Sequence, residues 1–229
     1  MCGRYTLTLE GSIVADWFDV DPRQLELIPR YNIAPAQDVL TITHGGQRNH
    51  AQFMRWGLIP FWAKDTSIGY KMINARAETV TERNSYKYAF QKRRCLIPAD
   101  SFFEWQGAGK NKKPLRIMLK SEEPFAFAGI WESWNPKDDQ AAEPLLSCSI
   151  ITTVPNRLME PIHNRMPVIL PVESYRDWLD PANEDTAILR EMLLPYDPDL
   201  IKAYEVSTLV NSTRNFGPEV IAPIETPLL

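Results

Sequence analysis

The sequence has few cysteines and no long apolar run, and both features narrow the class of protein. Three cysteines occur in 229 residues, Cys2, Cys95 and Cys148, and their odd number and wide spacing argue against a disulfide framework. No C-x-x-C pair indicates a zinc site. No apolar run approaches the ~20 residues of a membrane-spanning helix, and the chain start lacks the basic and apolar regions of a signal peptide. We therefore expect a reduced, cytoplasmic protein without membrane association.

The sequence also lacks an excess of positive charge. Its formal net charge is −4 and its pI is about 5.5, which argues against a generally basic surface but leaves room for a local basic groove. The composition, 44% hydrophobic and 24% charged, is ordinary for a globular protein with a substantial core. No internal repeat or low-complexity tract interrupts it.

Short strand-like runs dominate the chain and follow one another without regular helices between them. This order favours an α+β fold over a doubly wound one: a single domain spanning residues 1–229, with a largely antiparallel, barrel-like sheet and peripheral helices. NPKDDQAAEP is interpreted as a surface loop, and GAGKNKK as the loop of a hairpin. The predicted strands are RYTLT, DVLTIT, QFMRWG, RRCLIPA, SFFEWQ, PLRIMLK, FAFAGIW, LLSCSIITT, MPVIL and AYEVS.

Helical spacing is clearer in four segments. EGSIVADWF places Ile13, Val14, Trp17 and Phe18 on one face. ERNSYKYAFQK likewise brings together Tyr86, Ala89 and Phe90. VESYRDWLD and EDTAILREML predict two late helices. Cys95 and Cys148 lie inside strand-like runs, so we expect both to be small buried hydrophobic residues.

The third cysteine stands at position 2, in MCGRYTLT. Removal of Met1 would leave Cys2 with a free α-amine and a thiol on neighbouring carbons, a 1,2-aminothiol that no internal cysteine provides. The alternative is a frayed terminus whose second residue has no special role.

Polar residues interrupt apolar segments at two places. In SFFEWQ, strand alternation puts Glu104 on the face of Phe102 and Gln106. Glu104 is then either on the wet face of an edge strand or a shielded carboxyl whose raised pKa suits proton transfer near neutral pH. INARAE places Asn74, Arg76 and Glu78 after the apolar pair Met72-Ile73.

Two further segments are candidates for binding or catalysis. In PIHNRMPVIL, His163 is the best placed of three histidines for acid–base work, although a structural histidine remains the alternative. Arg165 and Arg76 can equally be ordinary ion-pair partners. In WGLIPFWAKD, Trp56, Phe61 and Trp62 surround a proline in a predicted loop. Such aromatic residues either fold back on the core or stack on unpaired bases.

The motifs MCGR, RYNIAP, INARAE, FFEW and IHNRMPVIL, with VNSTRNFGPEVIAPI near the end, together resemble the SRAP family. These are the SOS response-associated peptidase-like, or abasic-site processing, proteins. The resemblance spans nearly the whole chain. It implies a role in DNA repair: a covalent bond between the mature N-terminal cysteine and an abasic site in single-stranded DNA, including sites at single-strand/duplex junctions. An associated lyase activity and self-removal of Met1 are further expectations, and no metal or organic cofactor is required.

The resemblance also implies roles for individual residues. Cys2 matches the nucleophile, and Asn74 matches the asparagine that positions the reacting terminus by a hydrogen bond to its amine or thiol. Glu104 matches the acid–base glutamate, and His163 matches the histidine that contacts the deoxyribose.

The implied DNA contacts are three arginines, Arg4, Arg76 and Arg165, and the aromatic pair Phe61–Trp62. The pair aligns with an aromatic wedge that some members write as two tryptophans. Phenylalanine at the first position keeps stacking and lacks an indole N–H.

The chemistry explains a cysteine at the terminus. Because an α-amine has a pKa of about 8 and a thiol about 8.5, a useful fraction of each is reactive at neutral pH. The amine condenses with the aldehyde of the opened sugar to an imine, and the thiol then closes a thiazolidine. Two alternatives remain open. N-terminal-nucleophile glutamine amidotransferases also begin Met-Cys-Gly, but the match covers three residues and no NG dipeptide is present. A purely non-catalytic single-strand binder would need the aromatics and arginines but not Cys2.

Overall fold

The computed structural model describes residues 2–109, 112–136 and 143–224, which form two β-sheets with short helices around them. The helices are α1 (Gly11–Phe18), α2 (Lys87–Lys92), α3 (Tyr175–Leu179) and α4 (Thr186–Glu191). No helix in this part of the chain has the length and apolar character needed to cross a bilayer. The strands are β1 (Tyr5–Leu7), β2 (Arg30–Ile33), β3 (Asp38–Thr43), β4 (His50–Trp56), β5 (Asn74–Arg76), β6 (Arg94–Ala99), β7 (Ser101–Gln106), β8 (Lys113–Leu119), β9 (Phe125–Trp134), β10 (Leu145–Thr153), β11 (Met166–Pro167), β12 (Ile169–Leu170) and β13 (Ile201–Glu205).

The larger sheet closes on itself. Its strands follow the order β11-β10-β4-β3-β6-β9-β12, and a further pairing of β9 with β10 joins β10, β4, β3, β6 and β9 into a five-stranded barrel. Closure removes the free edges that an open sheet would expose. Two pairings, β4–β10 and β5–β10, are parallel, and the remaining ones are antiparallel.

The smaller sheet is open and antiparallel, in the order β13-β8-β7-β1-β2. It packs against the barrel through aromatic side chains. The Tyr5 ring lies 5.3 Å from the ring of Trp56 and 5.6 Å from that of Phe127, and Phe102 meets Phe127 at 6.0 Å. All four are fully or almost fully buried. Edge-to-face pairs of this kind contribute about 0.5–1.5 kcal/mol each beyond their area burial, so this aromatic seam joins the two sheets.

The predicted fold class is confirmed: an α+β fold with a largely antiparallel, barrel-like sheet and peripheral helices. The predicted strands DVLTIT, SFFEWQ and LLSCSIITT match β3, β7 and β10 residue for residue, and the β7–β8 hairpin is present. Two short strands, β2 and β5, were not predicted. The hydrogen bonds of β5 go to β10, far away in sequence, so nothing local marks it.

Two side-chain predictions were wrong. Ile13 does not share the buried face of α1, where Val14, Ala15 and Phe18 are buried instead. Trp56 is not in a loop: it ends β4 and is fully buried, with Nε1 donating to the carbonyl of Ile73 at 2.9 Å. Cys95 and Cys148 are buried and free, as predicted. Most of the predicted NPKDDQAAEP loop, residues 137–142, lies outside the described residues.

The segment between β4 and β5 is closed at its base, and we name residues 57–73 the aromatic loop. β4 and β5 pair in succession along the same edge of β10, and Leu58 N donates to Met72 O at 3.1 Å where the loop leaves and returns. Gly57 has φ +132°, and a Cβ there would lie 2.6 Å from the Gly69 carbonyl oxygen. Only glycine fits both the conformation and the space.

Gly57→Ala should destabilise the protein by about 2–5 kcal/mol, from backbone strain plus a clash with Gly69. Gly46 is the matched control: it also has positive φ, +84°, but a Cβ there meets nothing within 4 Å. Gly46→Ala should therefore cost only about 1 kcal/mol. Chemical denaturation of both variants tests this, and equal losses would show that the close approach of Gly57 and Gly69 is unimportant.

Candidate active site

Cys2 lies at the junction of the two sheets. The N-terminal segment continues β1 alongside β7, since Phe103 N donates to Arg4 O at 2.9 Å. Cys2 is fully buried and belongs to the main core. Burial, and to a smaller extent the nearby Glu104 carboxylate, raises the pKa of the Cys2 thiol far above its usual value. Burial thus favours the neutral thiol at Cys2, where the sequence alone suggests an ordinary thiol pKa.

Asn74 holds the backbone of Cys2 from the barrel side. It starts β5, which is fixed to β10 by the pairing of Asn74 with Ile150. Its Nδ2 donates to the Cys2 carbonyl oxygen at 2.9 Å, so its donor is used by that carbonyl and not by the amine or thiol. Asn74 Oδ1 is buried and accepts no hydrogen bond from the described residues. Tyr86 OH donates to the Asn74 carbonyl at 3.2 Å and further fixes this position.

Glu104 faces the same junction from the smaller sheet. Strand alternation was read correctly: Phe102 belongs to the main core with Cys2, whereas Phe103 packs in a separate cluster on the other face of β7. Glu104 is only 2% exposed, and β7 lies between β8 and β1, so a wet edge-strand position is excluded. Burial raises the pKa of the Glu104 carboxyl above its usual value, and nearby His163 opposes this effect.

His163 and Glu104 line one pocket of about 380 Å³, together with Trp105, Lys112 and Asn211. The turn carrying His163 is attached to β7 by a 3.1 Å hydrogen bond from Gln106 Nε2 to Pro161 O. The backbone N–H of Arg165 donates to His163 Nδ1 at 3.0 Å. Because Nδ1 accepts that hydrogen bond, a neutral His163 carries its proton on Nε2.

The three predicted DNA-binding arginines occupy different environments. Arg4 donates to Asn32 Oδ1 at 2.7 Å and to the carbonyl of Val210, so part of its guanidinium fixes the C-terminal segment. Arg165 is paired with both Glu78 oxygens and with the Thr152 carbonyl; the ion-pair alternative is thus realised, with its partner in INARAE. Arg76 is exposed, and no hydrogen bond or ion pair engages its side chain within the described part of the chain.

The predicted aromatic wedge is exposed at a turn of the aromatic loop. Phe61 is 55% and Trp62 is 43% exposed, although their neighbours Ile59 and Ala63 are buried against Trp134. Trp134 Nε1 donates to Ala63 O at 2.9 Å, and Ile59 N donates to Ser147 Oγ at 2.8 Å. The turn is therefore anchored on both sides while the two rings extend into solvent.

Sequence reasoning did not single out Trp105, Lys112, Asn211 or Asn32. Trp105 Nε1 donates to Asn211 Oδ1 at 2.7 Å, which closes one side of the pocket. Asn32 Nδ2 donates to Ser212 O at 3.1 Å and to Asn215 O at 2.7 Å, holding the C-terminal segment against β2. The signal was present, since RYNIAP and VNSTRNFGPE contain these asparagines, but their contacts join residues about 180 positions apart.

Comparison with known proteins identifies the family of this chain. The family model for SOS response associated peptidase (SRAP) matches residues 1–213. The chain belongs to the SRAP family. It is 51% identical over 224 residues to abasic site processing protein YoqW of Bacillus subtilis, covering 96% of this chain and 99% of that protein. It is 31% identical to abasic site processing protein HMCES of Xenopus tropicalis, covering 98% of this chain and 78% of that protein.

The SRAP fold is also seen in a solved relative. An X-ray structure of a Bacteroides thetaiotaomicron protein superposes with a TM-score of 0.86 at 30% identity, covering 97% of this chain and 99% of that one. A larger groove of about 660 Å³ runs beside α4 in the present SRAP chain, and none of the predicted site residues lines it. Within the three described ranges, no group of three or more His, Cys, Asp or Glu side chains could hold a metal ion.

The buried carboxyl predicts a dependence of stability on pH. Because the pKa of Glu104 is raised in the folded protein, its ionisation costs more free energy there than in the unfolded chain. That cost is absent below the unfolded pKa and fully present above the folded one. Glu104→Gln should therefore increase the free energy of unfolding at neutral and alkaline pH, and the gain should disappear as pH falls below about 4.3, the usual glutamate pKa.

Urea denaturation across this pH range measures the effect. Glu132 provides the control, because it is also buried but pairs with Arg93 at 2.8 Å. Glu132→Gln loses a charge-assisted hydrogen bond and should destabilise the protein at neutral pH. If Glu104→Gln destabilises it in the same way, the carboxylate is a stabilising ion and the raised pKa is wrong.

Proposed function

We propose that this protein processes abasic sites in single-stranded DNA by joining its mature N-terminal cysteine covalently to the damaged sugar. One observation carries the proposal: Asn74 fixes the Cys2 backbone near the buried Glu104, and Glu104 lines a pocket together with His163. Family membership, with relatives named abasic site processing proteins, supports the same role.

The first step is imine formation. An abasic site in its ring-opened form is an aldehyde, and the α-amine of Cys2 attacks its C1′ carbon. The resulting carbinolamine loses its hydroxyl group as water, leaving a C=N bond. Asn74 supports this step: with the Cys2 carbonyl on its Nδ2, its unused buried Oδ1 can accept a hydrogen bond from a terminal amine. That contact would satisfy a buried acceptor and orient the nucleophile.

The second step is ring closure by sulfur. The thiol adds to the imine carbon, its proton ends on the nitrogen, and a five-membered thiazolidine results. A buried Cys2 with a raised thiol pKa needs a base at that moment. Glu104 is suited to this exchange, since a carboxyl with a raised pKa both donates a proton to the departing hydroxyl and accepts one from the thiol near neutral pH.

Opening of the closed sugar requires proton transfer to its ring oxygen. His163 faces the same pocket as Glu104, and its Nδ1 accepts the Arg165 N–H. A neutral His163 carries its proton on the other ring nitrogen, Nε2, so we assign to that nitrogen the transfer to O4′. The thiazolidine no longer contains the C=N bond that water attacks, which makes the adduct more stable than the imine.

The net charge of −4 does not attract a DNA strand over the whole surface, so binding depends on local groups. Arg76 is exposed and provides a phosphate contact directly. Arg4 and Arg165 would exchange part of their present hydrogen bonds for a phosphate. Phe61 and Trp62 provide stacking surfaces for unpaired bases. These features favour single strands and single-strand/duplex junctions over continuous duplex. Removal of Met1, β-elimination from the imine, and a cytoplasmic location with nucleoid association on damaged DNA stay predictions.

Three versions of the terminus test the chemistry. Mature Cys2 should give a heat- and denaturant-stable adduct, seen by intact mass after mixing with an abasic oligonucleotide. Cys2→Ser with Met1 removed keeps the amine but closes the ring poorly, so it should form an imine that borohydride traps. An extra residue left ahead of Cys2 converts the amine to an amide and should give neither product.

Each alternative function has its own outcome in this comparison. A glutamine amidotransferase would hydrolyse glutamine in a Cys2-dependent manner and ignore abasic DNA. A simple binder would show equal affinity for all three termini and no increase in mass. Stable cross-linking by the blocked terminus would contradict the aminothiol mechanism itself.

Removal of both wedge rings, Phe61→Ala with Trp62→Ala, should weaken binding to junction DNA by about 1–3 kcal/mol per lost stack. Both side chains are exposed, so the melting temperature should change little. Fluorescence anisotropy with an undamaged junction measures the affinity without the covalent step. Unchanged affinity in the double variant would leave the rings with no role in DNA binding.

A further inference from the structure

The aromatic loop exposes a third ring that the proposed site does not use. Tyr70 is 64% exposed, more than either Phe61 or Trp62. It lies near the return of the loop, in a short 3-10 helix (Thr66–Lys71), where Met72 N donates to Gly69 O at 3.0 Å. Since Gly69 is packed against Gly57, Tyr70 projects from a fixed backbone and would lose little freedom on binding.

An arginine faces this ring. The guanidinium carbon of Arg55, on β4, lies 5.6 Å from the centroid of Tyr70. Three other arginines face aromatic rings in the described chain, and their donors are engaged: Arg4 by Asn32 and Val210, Arg94 by backbone carbonyls, and Arg116 by Ser101 and Tyr204.

Arg55 differs from these three. No acceptor within residues 2–109, 112–136 and 143–224 receives a hydrogen bond from its side chain. Its guanidinium is thus oriented by an aromatic ring while its five N–H groups remain available, an arrangement suited to a phosphate.

The charge around Tyr70 is positive. Lys71 follows it and Lys64 lies earlier in the loop, both exposed. The loop's carboxylate, Asp65, is engaged by Ser67 N at 2.8 Å and by the Ser67 hydroxyl. Exposed rings interleaved with basic side chains are the pattern of single-strand binding surfaces.

The position of Tyr70 relative to the site follows from the chain. Tyr70 is four residues before Asn74, so their Cα atoms are at most about 14 Å apart. Asn74 contacts Cys2 directly. At about 3.4 Å per nucleotide along a stacked strand, about four nucleotides span the distance from Asn74 to Tyr70, and a strand with its abasic sugar at Cys2 needs about two more.

We propose that Tyr70 and Arg55 form a second strand-binding station, in which a base flanking the abasic site stacks on Tyr70 and an adjacent phosphate binds Arg55. This inference rests on the proposed function for the direction of the strand, and it adds a contact separate from the Phe61–Trp62 turn. It makes the aromatic loop a two-point clamp on single-stranded nucleic acid.

The test uses the full-length protein and an undamaged fluorescein-labelled oligothymidylate, so that binding is measured without cross-linking. Tyr70→Ala should raise Kd about 5- to 150-fold, the equivalent of one lost stack, whereas Tyr70→Phe, which keeps the ring, should bind nearly normally. Arg55→Gln should lower the slope of log Kd against log salt by about 0.7, the value for one phosphate on a single strand.

The matched control is Tyr88→Ala. Tyr88 on α2 is 49% exposed and has Lys87 Nζ 4.9 Å from its ring centroid, so it presents the same kind of exposed ring beside a cation. Its removal should change neither Kd nor salt slope. An unchanged Kd in Tyr70→Ala, or an equal loss in Tyr88→Ala, overturns the inference.

A cross-linking assay with saturating abasic oligonucleotide separates this inference from the proposed function. The cross-linking of the parent reports the covalent chemistry by itself, and the control variant Tyr88→Ala, whose ring lies outside the proposed strand-binding surface, should cross-link at the parental rate. If the parent cross-links and Tyr70→Ala binds normally, only the station is wrong. If Tyr70→Ala loses affinity but the parent never cross-links, the station holds and the covalent chemistry is wrong. If the parent does not bind the oligothymidylate, the station is wrong, and the cross-linking of the parent alone decides the covalent chemistry.

Discussion

The aromatic seam between the two sheets is the contact on which the candidate site depends. Tyr5 belongs to the smaller sheet and packs on Trp56 and Phe127 of the barrel. Cys2 lies three residues before Tyr5 and Glu104 two residues after Phe102, so both reach the site from the same side of this seam. Asn74 reaches it from the barrel. A change in how the sheets pack would separate Cys2 and Glu104 from Asn74 before it disturbed either sheet alone.

Burial gives the site its chemical character as well as its geometry. In neutral water a glutamate is ionised and a small fraction of a cysteine thiol is thiolate. Burial shifts both Glu104 and Cys2 towards their neutral forms. Enclosing Glu104 costs free energy of folding, and the burial of the large surrounding core offsets this cost. In the proposed mechanism the same enclosure would keep water from the imine, whose hydrolysis would compete with ring closure.

The sequence predicts much of this architecture where the signal is local. Period-two alternation placed Glu104 on the face of Phe102, and three strands were predicted residue for residue. The parts of the architecture that the sequence does not predict depend on contacts between residues far apart in the chain. Nothing near β5 shows that it pairs with β10, and nothing near Asn32 shows that its amide holds Ser212 and Asn215. The partner of Asn74 could not be read either, since a motif identifies a residue but not which atom of Cys2 it binds.

Because the aromatic loop is closed at its base, the register of the barrel strands does not depend on the length of the loop. β4 and β5 are each hydrogen-bonded to β10, and the Leu58–Met72 bond fastens the two ends of the loop to each other. Residues added or removed between these points leave Asn74 opposite Ile150. This barrel can thus carry loops of other lengths and compositions without a change in the geometry of the candidate site. The loop that would contact a strand and the residues of the site can therefore diverge independently.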